Sequence, residues 1–87
     1  MSYKLKFTHD VQKTLRKMDK HQAKLIVRWL YQNEDDIDNP RSIGKGLTAN
    51  RSGQWRYRVG NYRVIVEIDD GNMIVVAINI GHRRSIY

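Results

Sequence analysis

An α+β domain is what the sequence predicts: two N-terminal helices packed on an antiparallel-rich four-stranded sheet, in the order β-α-α-β-β-β. Three observations predict it. Apolar residues recur at helical spacing between Thr8 and Asn33, strict apolar/polar alternation takes over from Trp55, and glycine-bearing turns cut that alternating half into three strands. At 87 residues the chain reads as one domain, residues 1–87, without repeat, linker or low-complexity segment.

The elements follow in order. Tyr3–Phe7 (YKLKF) alternates and reads as a half-buried strand. Thr8 is placed to cap a helix with Asp10 in its first turn and Val11, Leu15 and Met18 on its apolar face. Asp19 followed by Gln22 resembles a capping box, opening a second helix that buries Ala23, Ile26, Val27 and Leu30, with Trp29 flanking. Glu34, Asp35, Asp36 and Asp38 come where a helix macrodipole disfavours negative charge, so the helix is expected to end near Asn33, before the Asn39-Pro40 break. The acidic residues lack the histidine or alternating oxygen pattern of a metal loop and read as a solvated connection. The polar stretch 41–53 reads as a loop with Leu47 as anchor.

The strands expected next are Trp55–Val59, Tyr62–Ile68 and Met73–Ile80. Gly60-Asn61 fits a two-residue type II′ turn, and Asp70-Gly71 fits type I′. Alternation then gives one apolar face, Trp55, Tyr57, Val59, Tyr62, Val64, Val66 and Ile68, and one face carrying Arg56, Arg58 and Arg63. Across the first turn Arg58 lies opposite Arg63 and Arg56 opposite Ile65; across the second, Arg63 would meet Ile78, with Ile80 and His82 on the arginine face. Like charges directly opposed on a sheet are destabilising, so this pairing is not one a fold adopts for stability.

Composition narrows the chemistry. With no cysteine there is neither a disulfide nor a thiolate metal site. The longest apolar run, Met73–Ile78, is far short of the ~18 residues of a membrane span, and nothing resembles a signal peptide, so a soluble, cytoplasmic protein without a membrane partner is expected. Net charge is +7. Residues 1–40 hold 8 Lys+Arg against 6 Asp+Glu and residues 41–87 hold 8 against 3, seven of those eight being arginine, whose planar fork matches phosphate. Arginines with His82 and Tyr87 are what phosphodiester cleavage needs. Preorganised guanidinium groups stabilise a pentacoordinate phosphorane, and histidine is the side chain type whose ordinary pKa suits proton transfer near neutrality. His9 and His21, at helix starts, read as structural or exposed.

GQWRYRVGNYRVIVEI (Gly53–Ile68) and INIGHRRSIY (Ile78–Tyr87) resemble the RelE-type toxins within the RelE/ParE group. The resemblance spans nearly the whole chain. It implies a ribosome-dependent endoribonuclease that cuts mRNA in the A site without metal or cofactor, by attack of the 2′-hydroxyl. It also implies a RelB-like antitoxin partner and, through the antitoxin complex, operator DNA. Carried over by position, Arg63 is the transition-state arginine, Arg83 the phosphate or leaving-group contact and Tyr87 the terminal aromatic, with His82 completing the catalytic set. Arg56 and Arg58 match the family's basic pair, and Lys45 and Arg84 join them as phosphate-binding candidates. Two departures stand out. The family's basic pair is lysine in its best-described pattern, one of them a proposed base, and some relatives carry a glutamate where Lys45 stands. The base then falls to His82 or to electrostatic activation of the hydroxyl. Other readings are a ParE-like gyrase poison that hydrolyses nothing, against which GHRRSIY argues, and a plain RNA-binding protein.

Overall fold

The computed structural model describes residues 2–42, 45–46 and 54–82. Strand β1 (Lys4–Phe7) is followed by helices α1 (His9–Lys17) and α2 (Lys20–Glu34), then by β2 (Lys45–Gly46), β3 (Gln54–Val59), β4 (Tyr62–Asp69) and β5 (Ile74–His82). Both helix starts are capped as their sequences require: Val11 N donates to Thr8 Oγ1 at 3.2 Å and Gln22 N to Asp19 Oδ2 at 3.2 Å.

The sheet runs β1-β5-β4-β3-β2. β1 lies parallel to β5 and the other neighbours are antiparallel, so the sheet is mixed. Four strands are the expected ones. The fifth, two-residue β2, lies in a stretch expected to be loop, and it pairs Lys45 with Arg56 and Gly46 with Trp55. Leu47, the expected loop anchor, lies outside the described residues.

Both helices cover the same face. Leu5, Tyr57, Val59, Val64, Val66, Ile68, Val75, Ala77 and Ile80 from the strands form one core with Val11, Ile26 and Leu30. Tyr57 tilts against Trp29 with ring centroids 5.5 Å apart. Ile26, Leu30 and Glu34 recur every fourth residue along α2 and are all buried, so the helix's core stripe ends in a carboxyl group.

The outer edge of β1 is closed by the segment after α2. Tyr3 N donates to Ile37 O, Asp36 N to Tyr3 O, and Leu5 N to Asp35 Oδ1 at 3.0 Å, the side chain standing in for a strand carbonyl. Asp36 accepts from Ser2 and Lys4 at 2.6 and 3.1 Å, which holds its carboxyl below the usual range. The acidic run is therefore not a solvated loop as expected. Glu34 is core and Asp35 and Asp36 are fasteners.

Candidate phosphate-binding face

Gly60 has φ +60° and Asn61 does not share the positive sign, the pattern of the expected II′ turn. Its tightness fixes the register: Val59 pairs with Tyr62, Arg58 with Arg63 and Arg56 with Ile65. Tyr57 and Val59 point into the core, so Arg56 and Arg58 lie on the face away from the helices, with Arg63 across from Arg58. Arg58 is exposed and Arg56 and Arg63 are half-buried. Lys45 pairs with Arg56 in the ladder. Ile65 is buried on this same face, 1% exposed.

The second turn departs from expectation. Asp69 pairs with Ile74, so four residues rather than two connect β4 to β5. Asp69 closes that turn, accepting from Asn72 N at 3.1 Å and from Asn72 Nδ2 at 2.8 Å, and Met73 takes the left-handed conformation at φ 55°. Two extra residues preserve facing, but a β-bulge at Ile65/Val66 then shifts the register by one and reverses it. Arg63 therefore faces Gly81 instead of Ile78, Ile80 is a core residue across from Val64, and His82 pairs with Tyr62. The imidazole meets the Tyr62 ring edge-on, centroids 5.8 Å apart at 73°. His82 thus stands on Tyr62's side of the sheet, not on the arginine face, although at the same end.

The structure accordingly gathers Arg56, Arg58 and Arg63 on one face, pairs Lys45 with Arg56 in the ladder, and sets His82 at the same end of the sheet on the Tyr62 side. Arg83, Arg84 and Tyr87 lie outside the described residues. Among the described residues no group of three or more His, Asp or Glu is placed to hold a metal ion, and no helix is long and apolar enough to cross a membrane.

Comparison with known proteins places this geometry. A family model described as the ParE toxin of the type II toxin-antitoxin system parDE matches residues 5–87. Toxin RelG of Mycobacterium tuberculosis is 30% identical over 87 residues, covering 100% of this chain and 98% of its own. The chain belongs to the RelE/ParE superfamily of type II toxins. Among solved RelE/ParE toxins, the toxin-antitoxin complex RelBE2 from M. tuberculosis contains a chain with a TM-score of 0.83 at 26% identity, matched over 95% of this chain and 93% of that one. The intact E. coli RelBE complex gives 0.74 at 19% identity over 93% and 96%, a likeness of fold. Two helices on one face of the sheet, in the order β-α-α-β-β-β, is thus the superfamily's arrangement in this RelE-like toxin.

What sequence reading missed is the buried pair under the arginine strand. Tyr57, between Arg56 and Arg58, turns its hydroxyl to Glu34 Oε2 at 2.8 Å and to the Pro40 carbonyl at 2.6 Å. The available signal was the spacing from Leu30 to Glu34, which continues the apolar stripe of α2 by one more turn.

Proposed function

We propose that this toxin is a ribosome-dependent endoribonuclease that cuts mRNA in the A site and so stops translation. The carrying observation is Arg58 directly opposite Arg63, with Arg56 one step along the strand, on the sheet face that the helices leave uncovered. That placement costs stability, whereas a phosphodiester needs it. In the reaction the 2′-oxygen bonds to the adjacent phosphorus and the bond from phosphorus to the 5′-oxygen breaks. The 2′ proton passes to a base and the leaving oxygen takes a proton, giving a 2′,3′-cyclic phosphate. The arginines gain most from the transition state, where phosphorane charge is greatest, and they supply the positive charge without a metal. His82 stands on the Tyr62 side at the same end of the sheet, so a phosphate shared by guanidinium and imidazole would lie over that end. Arg83 and Tyr87 complete the set by resemblance, and Lys45 and Arg84 hold flanking phosphates.

A RelB-like antitoxin is the proposed partner, as in the RelBE complexes of its relatives, with operator DNA engaged through that complex, and the cytoplasm is the proposed location. The family match to ParE toxins supports a second reading, a gyrase poison without hydrolytic activity. Mapping mRNA 3′ ends on programmed ribosomes separates the two. Cuts at the A site that disappear in the Arg63→Ala, Arg83→Ala double variant are expected. Gyrase-dependent DNA breaks with intact mRNA would establish the ParE reading, and undiminished cutting by the double variant would remove the site assignment.

A further inference from the structure

Glu34 is fully buried at the last turn of α2, and Tyr57 is fully buried at the middle of β3. Their meeting point contains three oxygens in a row. The Tyr57 hydroxyl is 2.6 Å from the Pro40 carbonyl and 2.8 Å from Glu34 Oε2. A phenol has a single hydrogen, and a peptide carbonyl has none. Were Glu34 ionised, two acceptors would compete for that hydrogen, and one close oxygen pair would have nothing between its members. A proton on Glu34 resolves the row: the acid donates to the phenol, and the phenol donates to the carbonyl on the shorter leg. Glu34 Oε1 supports the same assignment, because among the described residues it is buried without a hydrogen-bond partner, a position far costlier for a carboxylate oxygen than for the carbonyl of a neutral acid.

We propose that the proton on Glu34 is a latch. In place, it ties the end of α2 and the Pro40 turn to the underside of the strand that carries Arg56 and Arg58; once lost, the three segments part and the arginine strand is no longer held from below. The latch holds whatever the arginines bind, so it stands apart from the nuclease reading.

Burial acts in the required direction, raising the Glu34 carboxyl to about 7, against the opposing effect that the Tyr57 hydroxyl has when it donates to the ionised form. Burial, followed by Glu34's charge, likewise raises the Tyr57 phenol, which keeps its hydrogen throughout the accessible range. Among the described residues few other charges face the site. Arg41, on the segment after α2, acts weakly on Tyr57 in the opposite sense and is held by Asp70, which also accepts from Tyr3. Lys4 and Lys6 of β1 alternate with Leu5 and share the other face. Arg56 and Arg58 flank Tyr57 and point away from it.

Glu34→Gln is the test, because an amide reproduces the neutral acid, donating to the phenol with no proton to lose. On the full-length chain, the urea midpoint of the wild type is expected to fall from pH 5 to pH 8 while that of E34Q stays nearly level. The three histidines remain in both proteins and cancel in the comparison. Independently, the Glu34 carboxyl carbon, followed by NMR with 13C-labelled glutamate, is expected to titrate near neutrality. Equal pH dependence in the two proteins, or a carboxyl carbon titrating with the ordinary glutamates, would overturn the proposal. If E34Q does not fold, the wild-type titration decides alone.

Discussion

Among the described residues the two ends of the sheet differ in the charges they carry, mixed at one and basic at the other. At the end formed by the β4–β5 turn and the start of β1, acids and bases are matched. Arg41 grips Asp70 with two bonds of 2.9 and 3.0 Å, Tyr3 Oη adds a third at 2.6 Å, and Lys4 and Ser2 hold Asp36. At the Gly60-Asn61 end, Arg58 faces Arg63 across the ladder, and Lys45 faces Arg56 beside them. β4 itself is graded, with Arg63 at one end and Glu67 and Asp69 towards the other on the same face. Basic residues aligned at the Gly60 end suit the proposed phosphate contact, because the planar arginine fork matches a phosphate's oxygens.

The largest effect is expected at Arg63. Arg63→Ala removes one guanidinium from the proposed transition-state contacts and should lower ribosome-programmed cleavage by about 10²–10³-fold, the usual loss for a preorganised charge donor. Loss of the like charge opposed to Arg58 favours the variant by about a few tenths of a kcal/mol, and the urea midpoint reports the net change. Lost activity with a parallel loss of urea midpoint would make Arg63 a structural residue.

Between the two ends lies Glu34. The sign of its effect follows from a folded-state pKa raised from 4.5 to about 7. The folded protein keeps a proton that the unfolded chain has released, so stability is highest below about pH 4.5, declines as pH rises to about 7, and then levels off. At about 1.4 kcal/mol for each pKa unit, the full decline is roughly 3 kcal/mol, and E34Q should abolish it. Tyr57→Phe should cost stability across the range, since it leaves both the acid and the Pro40 carbonyl without the phenol. Urea titrations at pH 5, 6, 7 and 8 measure both.

A smaller effect sharpens the arginine end. A Cβ at Gly60 would meet nothing within 4 Å, so the cost of Gly60→Ala is confined to the backbone at φ +60°. About 1–2 kcal/mol is expected. Cleavage should fall only as far as the Arg58–Arg63 register loosens, readable from cross-strand NOEs in the variant.

Much of this was legible in the sequence because local rules govern it. Thr8 and Asp19 are strong caps, alternation in WRYRV and YRVIVEI reports a sheet with one buried face, and a two-residue turn leaves one register, hence Arg58 opposite Arg63. The errors arose where a tertiary choice intervened. The bulge opposite Ile65/Val66 takes its extra residue, Ile78, from β5 and leaves no mark in an apolar run such as VVAI, yet it turned His82 from the arginine face to Tyr62. Asp70-Gly71 satisfies the two-residue rule, but Asp69 gains more by bonding Asn72 and widening the turn to four. Glu34 was misread for its charge: burial next to Tyr57 favours the neutral acid, and an acid so held packs where Leu30 would lead one to expect an aliphatic residue.

The smallest expected effect is at the matched end. Arg41 and Tyr3 hold the Asp70 carboxyl down to about 2, the Arg41 bond being the main cause. A depressed carboxyl supports the fold above its unfolded value of 3.8, and the support is lost as pH falls through about 2. Asp70→Asn should therefore match the wild type at pH 2, fall slightly below it at pH 7, and fall least in high salt, because the pair is exposed to solvent. Ribosome-dependent cutting should be unaltered, since this corner lies at the opposite end of β4 from Arg63. A loss of cutting in Asp70→Asn with an unchanged urea midpoint would show that the two ends are coupled through β4, and that the matched charges serve the arginine face as well as the fold.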